Sequence, residues 1–146
     1  MVFDQFIERN EIKNKPIIIW GQSLGGAFAT MNASERNDKI NGLIIEGTFN
    51  SLTGVAQHFV PQIKYLVPFV LNDDFPAEEE IQNITHPIVI IHSEEDDQIP
   101  ISMGLELYKL SNKTNTTFWK IKGPHIEGIL NYETEYVNRF KQIIKN

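Results

Sequence analysis

At 146 residues the chain fits a single domain with length to bury one core, and its 41% apolar and 22% charged content is that of an ordinary globular protein. A net charge of −6 argues against a nucleic-acid partner, which needs a basic stripe to neutralise phosphates, and against adsorption to anionic membrane surfaces. The absence of cysteine excludes disulfides, thiolate metal sites and cysteine nucleophiles, and suits a cytoplasmic setting.

No apolar run approaches the length of a membrane span, and Asp4 and Glu8 interrupt any signal-peptide pattern at the start. Val2, Phe3, Phe6 and Ile7 stand instead at helical spacing and predict an amphipathic first helix ending near Asn10. An apolar run predicts a strand over 17–20. A helix over 24–36 follows, with small early residues (Gly25, Gly26, Ala27, Ala29) that allow close packing on a sheet. Residues 42–46 predict a second strand. The stretch 48–82 breaks this rhythm. It is aromatic (Phe49, Phe59, Tyr65, Phe69, Phe75) and cut by Pro61, Pro68 and Pro76, and it reads as short helices over the sheet's carboxyl edge, a cap-like insertion.

A third strand over 87–92 is nearly all apolar, as expected when both faces are covered. Pro100 introduces a helix at about 101–111 with Leu105, Tyr108 and Leu110 inward, and a fourth strand covers 117–121. The last helix carries Tyr136, Val137, Phe140, Ile143 and Ile144 on one face. The alternation predicts an α/β fold: a roughly four-stranded, mainly parallel sheet with flanking helices and a small helical cap, in one domain over 1–146.

The heptapeptide Gly21-Gln22-Ser23-Leu24-Gly25-Gly26-Ala27 joins the first strand to its helix. A serine on a sharp glycine-flanked turn between strand and helix is the nucleophile-elbow arrangement, in which strain pushes the hydroxyl out above the sheet. Side chains at Gly21 and Gly25 are expected to collide where strand and helix fold back. Functional residues of an open parallel sheet gather outside the carboxyl ends of its strands. Asp96 lies just beyond the third strand and His125 just beyond the fourth, in the order serine, acid, histidine. In that constellation neutral His125 takes the Ser23 proton, Asp96 fixes the imidazole tautomer, and the Leu24 backbone N–H donates to the oxyanion.

Plainer readings exist for each group. Ser23 could be a helix N-cap, and Asp96 part of a solvated run with Glu94, Glu95 and Asp97, leaving Glu46 as the alternative acid. A phosphate cradle at the glycine turn would need the G-x-G-x-x-G spacing or a P-loop lysine, and both are absent. His58, His86 and His92 read as structural. No pair has ligand spacing, so no metal site is expected.

These segments resemble the α/β-hydrolase superfamily, in its serine-hydrolase branch related to BEM46 and ABHD13-like proteins. Gly21-Gln22-Ser23-Leu24-Gly25-Gly26 matches the G-x-S-x-G-G elbow, and Leu43 to Phe49 looks like the following strand with its E-x-T-F ending. His92-Ser93-Glu94-Glu95-Asp96-Asp97-Gln98-Ile99-Pro100 matches H-G-x-x-D-x-x-[VI]-P, which puts the acid at Asp96, and Gly123-Pro124-His125 stands where the histidine loop is expected. Ser93 in place of glycine and Ile126 in place of a polar residue depart from the pattern. Nothing corresponds to the family's earlier strands or to the loop carrying the second oxyanion donor, so the chain resembles the C-terminal half of such a hydrolase, with reduced turnover expected.

The resemblance implies a cofactor-independent serine hydrolase acting on a small-molecule or acyl ester, thioester or amide through an acyl-enzyme. The alternative is a catalytically silent hydrolase-fold subunit that serves as a binding module. With no earlier strand beside it, the apolar edge of strand 17–20 invites pairing with another chain, and a homo-dimer with a continuous sheet is expected.

Overall fold

Short β-branched runs alternating with helices fold into a four-stranded sheet of order β1-β2-β3-β4, comprising β1 (Ile18–Gln22), β2 (Gly42–Glu46), β3 (Ile88–Ser93) and β4 (Thr116–Ile121). All neighbours are parallel, in registers such as Gln22 opposite Glu46 and Ile91 opposite Trp119. The computed structural model describes residues 2–59 and 76–145. The helices are α1 (Val2–Ile7), α2 (Leu24–Glu35), α3 (Leu52–Phe59), α4 (Ala77–Glu80), α5 (Ile101–Leu110), α6 (Gly128–Asn131) and α7 (Glu133–Lys145), with a 3-10 turn at Ile81–Asn83 after α4. None of the helices among the described residues is long and apolar enough to cross a membrane.

Successive strand side chains point to opposite faces, and each face has its own helical layer. Leu43, Ile45, Ile88 and Ile90 meet Ala27, Ala29 and Ala33 of α2, Ile81, and Met103 and Leu107 of α5. Ile44, Val89, Ile91 and Ile121 meet Tyr136 and Ile143 of α7. Every residue of β2 and β3 is buried, which is why residues 43–45 and 88–91 read as continuous apolar runs. Full burial of each such side chain contributes about 1.5–3 kcal/mol. The small residues of α2 let its axis come close to the sheet. At the outer edge, buried Arg36 joins α2 to α1 through Asp4 at 3.3 Å, with its guanidinium over the Phe3 ring at 5.3 Å.

Several helix boundaries and faces differ from the expectation. α1 ends at Ile7, and 8–15 run on as turns with Asn14 at φ 70°. In α5 the buried stripe is Met103, Gly104 and Leu107, whereas Leu105 and Leu110 are exposed. In α7 the buried stripe is Tyr136 and Ile143 with Phe140 beside it, and Val137 and Ile144 face outward. Apolar residues on both flanks of a helix make the periodicity ambiguous, and the sheet selects one stripe by contact. Of the aromatic stretch 48–82, residues 60–75 lie outside the described residues, among them Pro61, Tyr65, Pro68, Phe69 and Phe75. Beyond them, Ala77, Ile81 and Ile84 enter the core beside α2 and α5.

Candidate active site

β1 passes into α2 with only Ser23 between them. Ser23 sits at φ 53°, ψ −127°, in the positive-φ half of backbone space that a residue with a Cβ occupies at a cost. Three hydrogen bonds hold it there. Its N–H donates to the Glu46 carbonyl at 2.9 Å, and its own carbonyl accepts from Gly26 N–H at 2.9 Å and from the Thr48 hydroxyl. Ser23 stands at the N-cap position of α2, but its side chain makes no capping bond to the helix. Leu24, as the first residue of α2, has an N–H with no intrahelical acceptor.

The glycines divide differently from the expectation. A Cβ on Gly21 would overlap the Gly25 carbonyl and lie 2.7 Å from the Ala29 methyl, so strand and helix can meet only here without one. Gly25 itself faces open space, and Gly26 is the second tight position, against Thr48. Gly21→Ala is expected to lower stability by about 1–3 kcal/mol, seen as an earlier thermal unfolding midpoint, because backbone stands in the way.

The acid loop after β3 folds around the Asp96 carboxylate, whose side chain is 1% exposed. Oδ1 accepts the N–H groups of Gln98 at 2.9 Å and Ile99 at 2.8 Å, and Oδ2 accepts His125 Nδ1–H at 2.7 Å. A carboxylate partner places the proton on Nδ1 and leaves the lone pair of Nε2 free to accept one. Of the two carboxylates weighed from the sequence, Asp96 is thus the one that meets His125. Glu46 instead accepts from Gln22 and from the Gly128 N–H. His92, fully buried, donates Nε2–H to the Ile99 carbonyl at 2.9 Å and stands 3.5 Å from Asp96 Oδ2. Burial pushes its imidazole below the ordinary histidine range, so it backs Asp96 as a neutral ring.

The histidine loop is tied to its neighbours at several points. Ser93 hydrogen-bonds the Gly123 carbonyl through its hydroxyl, which also accepts Glu95 N–H at 3.0 Å, and Glu95 accepts Gly123 N–H at 2.9 Å. The serine that departs from the family's glycine therefore joins the acid loop to the histidine loop. Gly47, at φ 55°, passes beneath the imidazole, where a Cβ would come within 3.1 Å of His125 Nδ1. Gln22, next to Ser23, donates to the Ile126 carbonyl at 3.3 Å. Ile126 stands at φ 52°, a conformation that costs a β-branched residue ~1–3 kcal/mol. Ser23 and the Asp96–His125 pair thus share the carboxyl edge of the sheet. Among the described residues no hydrogen bond joins the Ser23 hydroxyl to His125.

A parallel sheet with helices on both faces, a strained serine between β1 and α2, and an acid–histidine pair beyond β3 and β4 define the class. The chain belongs to the alpha/beta hydrolase fold family, whose model matches residues 2–87. It is 27% identical over 92% of its length to the lysophosphatidylserine lipase ABHD12 of Danio rerio, covering 39% of that protein. It is 26% identical over 70% of its length to protein bem46 of Schizosaccharomyces pombe, covering 34% of it. The chain thus spans between a third and two fifths of the length of these curated relatives. The Pyrococcus furiosus esterase Pf2001 superposes with a TM-score of 0.73 at 17% identity, over 99% of this chain and 58% of the esterase.

Proposed function

We propose that the chain carries the nucleophile, acid and base of a serine hydrolase that cleaves an acyl ester, thioester or amide through an acyl-enzyme. The observation that carries this reading is the Asp96–His125 hydrogen bond at the sheet edge where Ser23 is held at φ 53°. In this reading the Ser23 hydroxyl oxygen attacks the substrate carbonyl carbon while its proton passes to His125 Nε2. Leu24 N–H donates to the oxygen that becomes negative, and the His125 proton then goes to the departing group as its bond to the acyl carbon breaks. Water, deprotonated by His125, releases the acid and restores Ser23. Catalytic hydrogen bonds are often long in a free enzyme and tighten with substrate, which accommodates a serine not yet bonded to the base.

The residues next in sequence to nucleophile and base, Leu24 and Ile126, are apolar and exposed, which supports an acyl group as the part recognised. The lipase relative points to the same bond class. Labelling with a fluorophosphonate tests the reading, and the adduct is expected on the peptide containing Ser23. A folded chain that takes no label would support the silent binding module instead.

Among the described residues β1 is the edge strand, paired with β2 alone, and Trp20 is 39% exposed. An edge strand of this kind supports pairing with a second copy through its outer side. Sedimentation velocity is expected to show a dimer that dissociates on dilution, and a monomer at every concentration would count against it.

A further inference from the structure

The buried carboxylate of Glu46 has no part in the chemistry above, yet its surroundings converge on the site. It ends β2 at 2% exposure, and no cation pairs with it among the described residues. A charge so placed is costly unless its oxygens are hydrogen-bonded, and here both are. Oε2 accepts Gln22 Nε2–H at 2.7 Å, and Oε1 accepts Gly128 N–H at 3.0 Å. The site is built tightly: a Cβ on Gly128 would lie 2.6 Å from Oε1 and overlap the Tyr136 hydroxyl. That hydroxyl, buried beside the carboxylate, keeps its proton because burial first and the negative charge second push its pKa up.

These bonds bracket one short segment. Gln22 belongs to the strand that delivers Ser23 and donates through the same amide nitrogen to the Ile126 carbonyl. Gly128 lies two residues beyond Ile126, the residue held at φ 52° directly after His125. The backbone carbonyl of Glu46 meanwhile accepts the Ser23 N–H. One residue thus contacts the nucleophile's backbone, the strand before it and the loop that presents the base. We propose that Glu46, acting through Gln22 and Gly128, is a positioning residue that clamps the histidine loop in its strained form and sets His125 against Ser23. The proposal rests on the serine-hydrolase reading, since it concerns the alignment of that nucleophile and base.

Glu46→Gln tests it, because a glutamine keeps the volume but replaces one acceptor oxygen by a donor, so that Gln22 can no longer donate to that position while it also holds the Ile126 carbonyl. The expected result with p-nitrophenyl butyrate is a kcat about 10–100-fold lower at unchanged KM, as when reacting groups are misaligned without loss of substrate contact. Amide hydrogen exchange at Gly128 is expected to accelerate while β3 amides stay protected. Gln22→Met, at a half-buried position, removes the other arm and carries the test if Glu46→Gln fails to fold. It is expected to act in the same direction, and the double variant to lose little more than the worse single one. Unchanged kcat in an active chain, or unchanged Gly128 exchange, overturns the clamp. If the parent shows no Ser23-dependent turnover, the hydrolase reading fails on that result, and Gly128 exchange alone still decides the clamp.

Discussion

Ser23→Ala is expected to abolish fluorophosphonate labelling and to lower ester hydrolysis by at least about 10³-fold, because no other group replaces the missing oxygen. The effect should be confined to chemistry. The Ser23 side chain makes no capping bond, and the bonds that hold the turn come from its backbone and from Thr48, all of which alanine retains. An unfolding midpoint close to the parent's is therefore expected alongside the lost activity. Undiminished turnover in the variant would place the activity elsewhere. A parent as silent as the variant would favour the binding-module alternative.

Asp96→Asn is expected to reduce turnover by about 10⁴-fold through the tautomer of its partner rather than through loss of structure. The asparagine carbonyl can keep the N–H groups of Gln98 and Ile99 that Oδ1 accepts now, so the loop should hold. Its NH2 then faces His125 Nδ1, where a carboxylate accepts a hydrogen bond at present. The ring must place its proton on Nε2 to present an acceptor to that NH2, and Nε2 can no longer take a proton from Ser23. Slow labelling of an intact, folded variant is the signature to measure. A loss of only a few-fold would assign the acid role to another carboxylate, and Glu46, bonded to the same loop through Gly128, is the alternative the sequence offered.

Strand positions were legible because β2 and β3 are buried on both faces, so each is apolar up to the polar residues at its carboxyl end. The elbow was legible because a strand, a tight turn and a helix are all local. Helix faces were less so. Leu105 and Leu110 look inward by composition, but contact with β3 and β4 turns Met103, Gly104 and Leu107 to the sheet instead. Gly25 shows a similar limit: its place in the motif suggests crowding, yet open space surrounds it, and Gly26 is the glycine pressed against Thr48. Ser93 looked like a departure from the family pattern, and its hydroxyl turns out to join two loops.

The class of fold, the order of Ser23, Asp96 and His125 along the chain, and the turn that carries Ser23 follow from the residues alone. Each depends on hydrophobic period or on residues adjacent in the chain. Which carboxylate meets His125, across 29 residues, was settled by the folded sheet, as were the meetings of Glu46 with Gly128 across 82 and of Gln22 with Ile126 across 104. Those bonds depend on strand register and on where two loops come to rest over one sheet edge. Local periodicity carries no record of either, because a hydrogen bond between distant residues exists only once the sheet has brought their strands side by side.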